Sequence, residues 1–378
     1  MLNGLNEEML ELNMRWIKLY RYEMELVHPF RTHAGIVRMR EGILVQVVDE
    51  HNREGWGEGV AFTTPFYTHE TVQSSWDMLT EHFIPVLKQW NIQHPTDIAR
   101  HLTIFQGNQM AKAAMEAAVW DLYAKQQQKS LSKLIGGTKG EIAAGVVLGL
   151  QDDIEKLLPL YKEAGYRRFK LKVQKGKERN RLELASRYVP TDELMFDGNG
   201  AYDEQDMDHL LSLDDLGLMM IEQPFRPGDY YLHAQLQKRM KTPICLDESI
   251  ESYNDADQAL RFQSCQVINI KIGRVGGMTE AIRIHHLCAS KGVPVWCGGM
   301  LETGISRAHN IALASLSNFT IPGDISASNR YWHKDVIVPE VQLIKGMIHV
   351  PHRNGIGYDV NKAFLSTITT DVYFHEFK

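Results

Sequence analysis

Phe169-Lys170-Leu171-Lys172 is the first of five short apolar stretches in this chain that each end in a charged residue. The charged ends of the other four are Asp197, Glu222, Asp247 and Lys271. From Lys172 onward these ends are separated by 25, 25, 25 and 24 residues, the length of about one strand, one helix and two loops. Apolar strands that alternate with amphipathic helices predict a parallel sheet covered by helices. The regular repeat therefore predicts an α/β barrel.

The charged residues at the strand ends predict a functional site. In a parallel barrel, chemistry takes place at the carboxyl ends of the strands. Residues two apart in a strand share a face, so Lys170 and Lys172 are both expected to point into the barrel. An ammonium group is costly there unless it is paired or catalytic. One carboxylate after a strand is more often a helix cap or a surface residue, but five charged ends in phase favour a shared site.

Length and composition place the barrel inside a larger chain. With 378 residues, the sequence can hold a barrel of about 200 to 250 residues and a smaller domain. The glycines at 136–140 mark a boundary. We expect an α+β capping domain at 1–137, the barrel at 138–335, and a segment at 336–378 that returns to the capping domain. Residues 1–13 read as a short extension of the capping domain.

The composition also argues against several classes of partner. A formal net charge of −6 does not fit a nucleic-acid surface, which needs a basic face. The amino terminus lacks the regions of a signal peptide, and no apolar run approaches the length of a membrane span. The four cysteines are scattered without metal-site spacing and are typical of buried residues in a reducing compartment. A cytoplasmic protein without membrane or nucleic-acid partners is expected.

The periodicity predicts the elements of the capping domain. A first strand is expected at 16–27, followed by a loop at 28–32 and a strand pair between 42 and 62. Helices are expected at 69–90, 95–105 and 111–127. The glycines of Gly55-Trp56-Gly57-Glu58-Gly59 do not indicate a phosphate loop, because no helix and no Gly-Lys-Ser/Thr follows them.

The barrel is expected to begin with a strand at 143–148 and to end with strands at 293–297 and 319–321. Its helices are expected at 152–164, 206–213, 230–240, 254–262, 278–290 and 303–316. Strand-like pieces at 341–344 and 347–350 belong to the returning tail.

Asp197, Glu222 and Asp247 offer oxygen ligands without cysteine or histidine, which favours Mg²⁺ over zinc. His285 and His286 lie on a predicted helix away from the strand ends. A metal ion between lysines suits the removal of a proton next to a carboxylate, because the metal stabilises the enediolate charge. Lys172 could act as the base, since Lys170 and a nearby cation both favour its neutral form.

At these residues the chain resembles the enolase superfamily, in its muconate-lactonising-enzyme-like branch. A lysine base that works beside magnesium is already known in that superfamily. More narrowly the chain is similar to the o-succinylbenzoate synthase and N-acylamino acid racemase family. The similarity covers nearly the whole chain from about Trp16. Its most specific motifs are Lys170-Leu171-Lys172, Ile221-Glu222-Gln223-Pro224, Cys245-Leu246-Asp247-Glu248-Ser249, the stretch at 269–277, the stretch at 296–304 and the stretch at 322–328.

The resemblance implies a fold, a cofactor and roles for individual residues. The fold would be a modified TIM barrel, (β/α)7β, with an α+β capping domain. Lys172 would remove the α-proton and assist departure of the hydroxyl, and Lys271 would stabilise the intermediate or act as the second base of a racemase. Lys170 would support the catalytic site, and Mg²⁺, with Mn²⁺ as a substitute, would be held by Asp197, Glu222 and Asp247. The implied substrate-binding residues are Asn199, Arg274, Phe30, Phe62, Tyr67, Gly299, Met300, Leu301 and Tyr331.

The implied activity is the dehydration of a cyclohexadiene carboxylate to o-succinylbenzoate in menaquinone biosynthesis, by a homo-oligomer that binds a small carboxylate substrate. Racemisation of N-succinylamino acids is the alternative, favoured by Arg274, and the two activities can coexist because they share an enediolate. Other dehydratases or epimerases of the superfamily, and a barrel that only binds a ligand, are weaker alternatives. The chain departs from its relatives at Val147, where a hydroxyl residue is common, and at Gly198, where alanine is common.

Overall fold

The computed structural model describes residues 12–32, 35–87, 89–90 and 92–377. Most of the predicted extension at 1–13 therefore lies outside the described residues. The capping domain consists of β1 (Met14–Thr32), β2 (Gly35–Asp49), β3 (Glu54–Gly59), α1 (Val72–Asp77), a π-helical turn (Met78–Phe83), α2 (Ile84–Leu87), α3 (Pro95–His101), α4 (Gln109–Gln126) and α5 (Leu131–Leu134). The prediction that β1 ends at 27 is wrong, because the strand continues through residues 28–32 and pairs with β2 after a register shift.

The strands of the capping domain alternate apolar residues toward the helices, which gives the domain its core. Ile17, Leu19, Val45 and Val47 are fully buried and pack with helix residues such as Ala118 in one cluster. Gly55 and Gly57 let α4 approach β3 closely, since a Cβ at either position would lie within 2.2 Å of a carbonyl oxygen of that helix. The glycine-rich stretch thus serves packing.

The barrel domain follows the capping domain without a long linker. Its elements are β4 (Glu141–Ala143), β5 (Val146–Leu148), α6 (Ile154–Glu163), β6 (Phe169–Lys172), α7 (Glu178–Ala185), β7 (Leu194–Asp197), α8 (Met207–Leu211), β8 (Met220–Glu222), α9 (Tyr230–Arg239), β9 (Ile244–Leu246), α10 (Tyr253–Arg261), β10 (Val267–Ile270), α11 (Ile272–Val275), α12 (Met278–Ser290), β11 (Val295–Cys297) and α13 (Gly304–Ala314). The strand order β11-β10-β9-β8-β7-β6-β5 is that of a parallel sheet curled into a barrel.

Two strand predictions for the barrel need correction. The strand expected at 143–148 is divided, because β4 leaves the barrel to pair with a later strand while β5 begins at Val146. The strand expected at 319–321 is absent from the strands of the described residues. Instead, Phe319 forms one parallel bridge with Val295 of β11. Gly323 forms another with Ala144, which lies just before β5. The barrel therefore closes through single bridges.

The tail of the chain returns to the capping domain. It contains β12 (Ile337–Val338), β13 (Met347–His349), β14 (Asp359–Val360), α14 (Lys362–Ile368) and β15 (Thr369–Glu376). β13 pairs with β4, and β15 pairs with β1 as the outer strand of the capping sheet. Neither α14 nor β15 was predicted from the sequence. In the described part of the chain, no helix has the length and apolar character needed to cross a membrane.

Two buried carboxylates of the capping domain bind the amino-terminal ends of barrel helices. Glu58 accepts hydrogen bonds from the backbone N–H of Thr303 at 2.9 Å and of Ser306 at 3.0 Å. Glu116 accepts from the backbone N–H of Thr279 at 3.2 Å, at the start of α12, whose own N-cap residue is Gly277 and supplies no side chain. A carboxylate at a helix amino terminus satisfies free N–H groups and the helix dipole. These contacts fix the capping domain over the barrel.

Glu116 makes the stability of this junction dependent on pH. Burial raises the pKa of its carboxyl from 4.5 to about 7, so the folded protein retains this proton over a range in which the unfolded chain has lost it. Wild-type stability should therefore fall between pH 4.5 and 7 by about 3 kcal/mol relative to Glu116→Gln. Urea unfolding of both proteins at several pH values measures this difference. A constant difference would contradict the prediction, and the exposed Glu81→Gln is the control.

Candidate active site

The register of the barrel strands brings the predicted charged residues side by side. Lys172 pairs in register with Asp197, and Asp197 with Glu222. Asp247 directly follows β9, and Lys271 directly follows β10. All five side chains lie at the carboxyl ends of neighbouring strands, as the repeat predicts. Lys172 and Lys271 are separated by β7, β8 and β9 and so approach the mouth of the barrel from different sides.

Asp197 lies between two lysines. Its Oδ2 is 2.8 Å from Lys172 Nζ and 3.5 Å from Lys170 Nζ. Burial alone would raise the pKa of Asp197, but the charges of Lys172 and then Lys170 lower it below its ordinary value. Asn199 also reaches this point, since its Oδ1 accepts a hydrogen bond from Lys172 at 2.5 Å. The end of β7 therefore holds an ionised carboxylate against the predicted base.

Glu222 differs from the other two carboxylates in that its pKa is raised, not lowered. It accepts hydrogen bonds from Lys170 Nζ and from Asn269 Nδ2, both at 3.0 Å. Burial and the neighbouring charge of Asp197 nevertheless raise its pKa from 4.5 to about 8. Contact with Lys170 therefore does not offset the effects of burial and of Asp197 on the pKa of Glu222.

Asp247 is held by two cations. Its Oδ2 is 2.8 Å from Lys271 Nζ, and its Oδ1 accepts a hydrogen bond from Arg274. Burial would raise the pKa of Asp247, but Arg274 and then Lys271 lower it well below the ordinary value. Arg274 is itself buried, and its Nε and Nη2 donate to the carbonyl oxygens of Ile250 and Asn269, both at 2.8 Å. The Arg274 guanidinium therefore links the Asp247 carboxylate to the main chain at Ile250 and Asn269.

Residues of the capping domain reach the same mouth. The hydroxyl of Tyr67 accepts hydrogen bonds from Lys271 Nζ at 2.8 Å and from Arg274 at 3.0 Å. Burial and then the charge of Asp247 raise the pKa of Tyr67, which keeps it neutral. The ring of Phe62 packs against that of Phe66 in a tilted arrangement, with 4.7 Å between ring centroids. Phe30 lies on β1 in register with Val37 and is half-buried, not in the loop that was predicted for it.

Gly299, Met300 and Leu301 form the loop between β11 and α13. A Cβ at Gly299 would lie 2.6 Å from the carbonyl oxygen of Asp324, so this position has no room for a larger residue. Leu301 has a φ of +56°, and its carbonyl oxygen accepts a hydrogen bond from the buried Arg40 at 3.3 Å. Tyr331 lies farther along the chain, and its carbonyl oxygen accepts from the backbone N–H of Val27 at 2.9 Å.

Arg40 was not predicted, although it links the capping domain to this loop. Its guanidinium also donates to the carbonyl oxygens of Val60 and Ala61 at 2.7 Å and lies over the ring of Phe62 at 4.7 Å. An arginine in a predicted strand gives no signal of such a contact, because its partners are main-chain oxygens far along the sequence.

Two carboxylates at the site were not predicted as site residues. Asp324 is 2.8 Å from Lys170 Nζ and also pairs with the buried Arg168. Glu248 accepts a hydrogen bond from Asn199 Nδ2 at 3.0 Å. Both lie within motifs typical of the family, and Asp324 follows the region of the last predicted strand. Its place after a predicted barrel strand could have indicated Asp324 as a site residue. Glu248 could have been recognised because it directly follows the predicted ligand Asp247.

The donor set fits Mg²⁺, which prefers carboxylate oxygens. Asp197, Glu222 and Asp247 supply such oxygens at the ends of three consecutive strands. Burial and the charge of Asp197 raise the pKa of Glu222, so its ionised form would be favoured by a divalent cation bound there. Glu248 Oε2 is buried and has no hydrogen-bond partner among the described residues. As they stand, no three acidic, histidine or cysteine side chains of the described ranges form a ready metal cluster. Lysines and Arg274 are paired with the three carboxylates instead.

Family models match both parts of the chain. Residues 153–364 match the model described as "Enolase C-terminal domain-like". Residues 17–136 match the model described as "Mandelate racemase / muconate lactonizing enzyme, N-terminal domain". The two matches together cover most of the capping domain and of the barrel, and leave residues 137–152 between them unmatched.

Individual proteins match over nearly the full length. The chain is 49% identical to an o-succinylbenzoate synthase of Geobacillus kaustophilus, over 95% of this chain and 96% of that protein. It is 40% identical to an N-succinylamino acid racemase of Amycolatopsis sp., over 95% and 98% respectively. A solved structure of an enolase superfamily member from Listeria innocua has a TM-score of 0.93 and 42% identity, and the match covers 97% of this chain and all of that one.

Proposed function

The chain belongs to the mandelate racemase and muconate lactonizing enzyme family of the enolase superfamily, and within it we propose that the protein is an o-succinylbenzoate synthase. It would dehydrate 2-succinyl-6-hydroxy-2,4-cyclohexadiene-1-carboxylate in menaquinone biosynthesis. The proposal draws on relatives at 45 to 49% identity that carry this name. Fold alone would not support it, because one fold hosts many reactions.

The observation that carries the proposal is the placement of two lysines on either side of three carboxylates. Lys172 at the end of β6 bonds to Asp197, and Lys271 after β10 bonds to Asp247. A substrate carboxylate in the mouth would then have one amino group on each face of its α-carbon. That arrangement suits proton removal next to a carboxylate, with charge stabilisation from the opposite side.

Lys172 would perform both proton transfers. Its neutral amine would take the proton from C1 of the substrate, and the resulting ammonium would give a proton to the departing hydroxyl at C6. The C1–H and C6–O bonds break, the ring becomes aromatic, and water leaves. One residue can serve both steps when the proton and the hydroxyl lie on the same face of the ring, as in a syn dehydration.

Lys271 would remain an ammonium group during dehydration. Burial would lower its pKa, but the Asp247 carboxylate raises it above the ordinary value. Its Nζ is fixed by Asp247 and by the Tyr67 hydroxyl, both at 2.8 Å. A fixed cation on the face opposite the base would stabilise the negative charge of the enediolate.

We further propose that Asp197, Glu222 and Asp247 hold Mg²⁺, for which Mn²⁺ can substitute. When bound, the ion supplies positive charge where the second negative charge of the enediolate develops. The carboxylates are positioned for this by the strand register and by Gln223, whose Oε1 accepts the backbone N–H of Asp247 at 3.0 Å.

The proposal is tested by steady-state kinetics of the purified protein with the cyclohexadiene carboxylate and, separately, with N-succinylphenylalanine. We expect Mg²⁺-dependent dehydration with a kcat of about 1 to 10³ s⁻¹. The activity should vanish with a chelator and return with Mg²⁺ or Mn²⁺. Racemisation without dehydration would favour the second candidate, and neither activity would remove the substrate assignment while leaving the fold unaffected.

N-Succinylamino acid racemase is the second candidate, favoured by the position of Arg274. Racemisation needs each lysine to be neutral in one direction of the reaction, whereas dehydration needs Lys271 only as a cation. The Arg274 charge is one of the groups that lowers the pKa of Lys271. Its removal should therefore disfavour the neutral form of Lys271.

Arg274→Met is expected to lose racemisation while it retains dehydration. Each unit by which the pKa of Lys271 rises removes about ten-fold of its neutral form. Racemisation of N-succinylphenylalanine by polarimetry and dehydration by absorbance measure the two activities in the same preparation. Unchanged racemisation would rule out this role for Arg274, and the exposed Arg283→Met is the matched control.

A further inference from the structure

Asn199 bridges the ends of β6 and β9 through its side-chain amide. Its Oδ1 accepts a hydrogen bond from Lys172 Nζ at 2.5 Å, and its Nδ2 donates to Glu248 Oε1 at 3.0 Å. The backbone is fixed as well, because the N–H of Asn199 donates to Asp197 Oδ1 at 3.0 Å and its φ is +45°. The main chain therefore presents the amide to both partners at once.

Only one orientation of this amide satisfies both partners. An ammonium group only donates hydrogen bonds, and a carboxyl oxygen that faces an N–H accepts one. Oε1 accepts this hydrogen bond from Asn199, whereas Oε2 of the same carboxyl is buried without a hydrogen-bond partner among the described residues. A flip of the Asn199 amide would place two oxygens against each other and leave the carboxyl of Glu248 unsatisfied.

The flip matters when Lys172 is neutral. A neutral amine has a lone pair that accepts a hydrogen bond, so a flipped Asn199 could donate its N–H to Lys172. The lone pair would then be occupied and could not take the substrate proton. An acceptor at Glu248 prevents this by holding the N–H group on the other side.

We propose that Glu248 is a positioning residue that holds the Asn199 amide in one orientation and thereby keeps the lone pair of Lys172 free for the substrate. This inference rests on the proposed role of Lys172 as the base. It assigns Glu248 a hydrogen-bond acceptor role toward Asn199, which an amide oxygen can also fill.

The two faces of the site allow a selective test. Each enantiomer of N-succinylphenylalanine presents its α-proton to one of the two lysines, and exchange of that proton in D₂O is followed by proton NMR. Lys172→Ala identifies the enantiomer that depends on Lys172. The Mg²⁺-loaded full-length protein is used throughout, and Mn²⁺ binding to each variant is measured by EPR.

Glu248→Leu should slow exchange of the Lys172-dependent enantiomer by about ten-fold, with the other enantiomer within about two-fold. Glu248→Gln should stay within about three-fold for both, because its amide oxygen can accept from Asn199. Glu251→Gln, an exposed carboxylate three residues away, is the matched control. If the leucine variant does not fold, Glu248→Ala replaces it.

Equal slowing of both enantiomers, or a parallel loss of Mn²⁺ affinity, would overturn the inference in favour of a role in the metal site. An effect of Glu248→Gln as large as that of Glu248→Leu would also overturn it, because charge would then matter instead of acceptance. If the wild type dehydrates the cyclohexadiene carboxylate but does not exchange the α-proton of N-succinylphenylalanine, dehydration becomes the readout. The kcat for dehydration must then fall in Glu248→Leu at unchanged KM. An unchanged kcat overturns the inference. A wild type with neither activity would refute the proposed function itself.

Discussion

Lys172→Ala is expected to lower the kcat for dehydration by roughly 10³-fold or more, because one side chain would supply both proton transfers. Lys172 is about one-fifth exposed, with its side chain at 22%, so its removal leaves the core intact. The KM for the cyclohexadiene carboxylate should change little. Stopped-flow absorbance at saturating substrate measures the rate, and circular dichroism checks the fold.

Lys172→Arg separates the chemistry from the charge. Arginine keeps the positive charge beside Asp197 but does not lose its proton in proteins. It should therefore be as inactive as the alanine variant. Lys177→Ala, an exposed lysine on the same side of the barrel, is the control and should retain full activity. Substantial dehydration by Lys172→Ala would exclude Lys172 as the base.

Asp324→Asn is expected to destabilise the protein by about 3 to 5 kcal/mol, because it leaves two buried cations without their shared partner. Asp324 contacts Lys170 Nζ at 2.8 Å and pairs with Arg168, and both cations are at most 5% exposed. Burial would raise the pKa of Asp324, but Arg168 and then Lys170 lower it well below the ordinary value. The carboxylate is therefore charged in the folded protein at all ordinary pH values.

Urea unfolding followed by tryptophan fluorescence measures the loss. Asp359→Asn, which breaks the exposed pair with Arg353, is the matched control and should stay within about 0.5 kcal/mol of the wild type. A similar small change in Asp324→Asn would mean that Arg168 and Lys170 find other compensation in the barrel.

The central part of the fold could be predicted because its signal is repeated. Each of the five strands from β6 to β10 is largely buried and either ends in a charged residue or is directly followed by one, at nearly constant spacing. Buried parallel strands produce such continuous apolar stretches. Helix α12 was predicted at its observed bounds, Met278–Ser290, for the same reason of clear periodicity.

The failures lie where the structure depends on distant contacts. The stretch at 319–321 is apolar enough for a strand, yet it forms only one bridge to Val295. Residues 28–32 contain a proline and read as a loop, although pairing with β2 extends the strand through them. At both positions, contacts with distant strands decide whether a strand forms, and the local sequence preference does not.

The charged residues of the site could be predicted, but their partners could not. The strand ends brought Asp197, Glu222 and Asp247 to one edge, whereas the contact of Arg40 with Leu301 joins residues 261 positions apart. A contact between two domains leaves no periodic trace in one sequence. Asp324 and Glu248 were missed because neither occupies the charged position of the repeat: Asp324 follows the stretch at 319–321, and Glu248 stands one residue after Asp247.

The pairing of β15 with β1 has a consequence for biosynthesis. β1 leaves the ribosome well before its partner at Thr369–Glu376, which is translated more than 300 residues later. At about 5 to 20 residues per second, the nascent chain carries an unpaired β1 edge for roughly 15 to 60 seconds. Such an edge invites pairing with other chains. Co-translational protection of β1, for example by a chaperone, should therefore raise the yield of native protein.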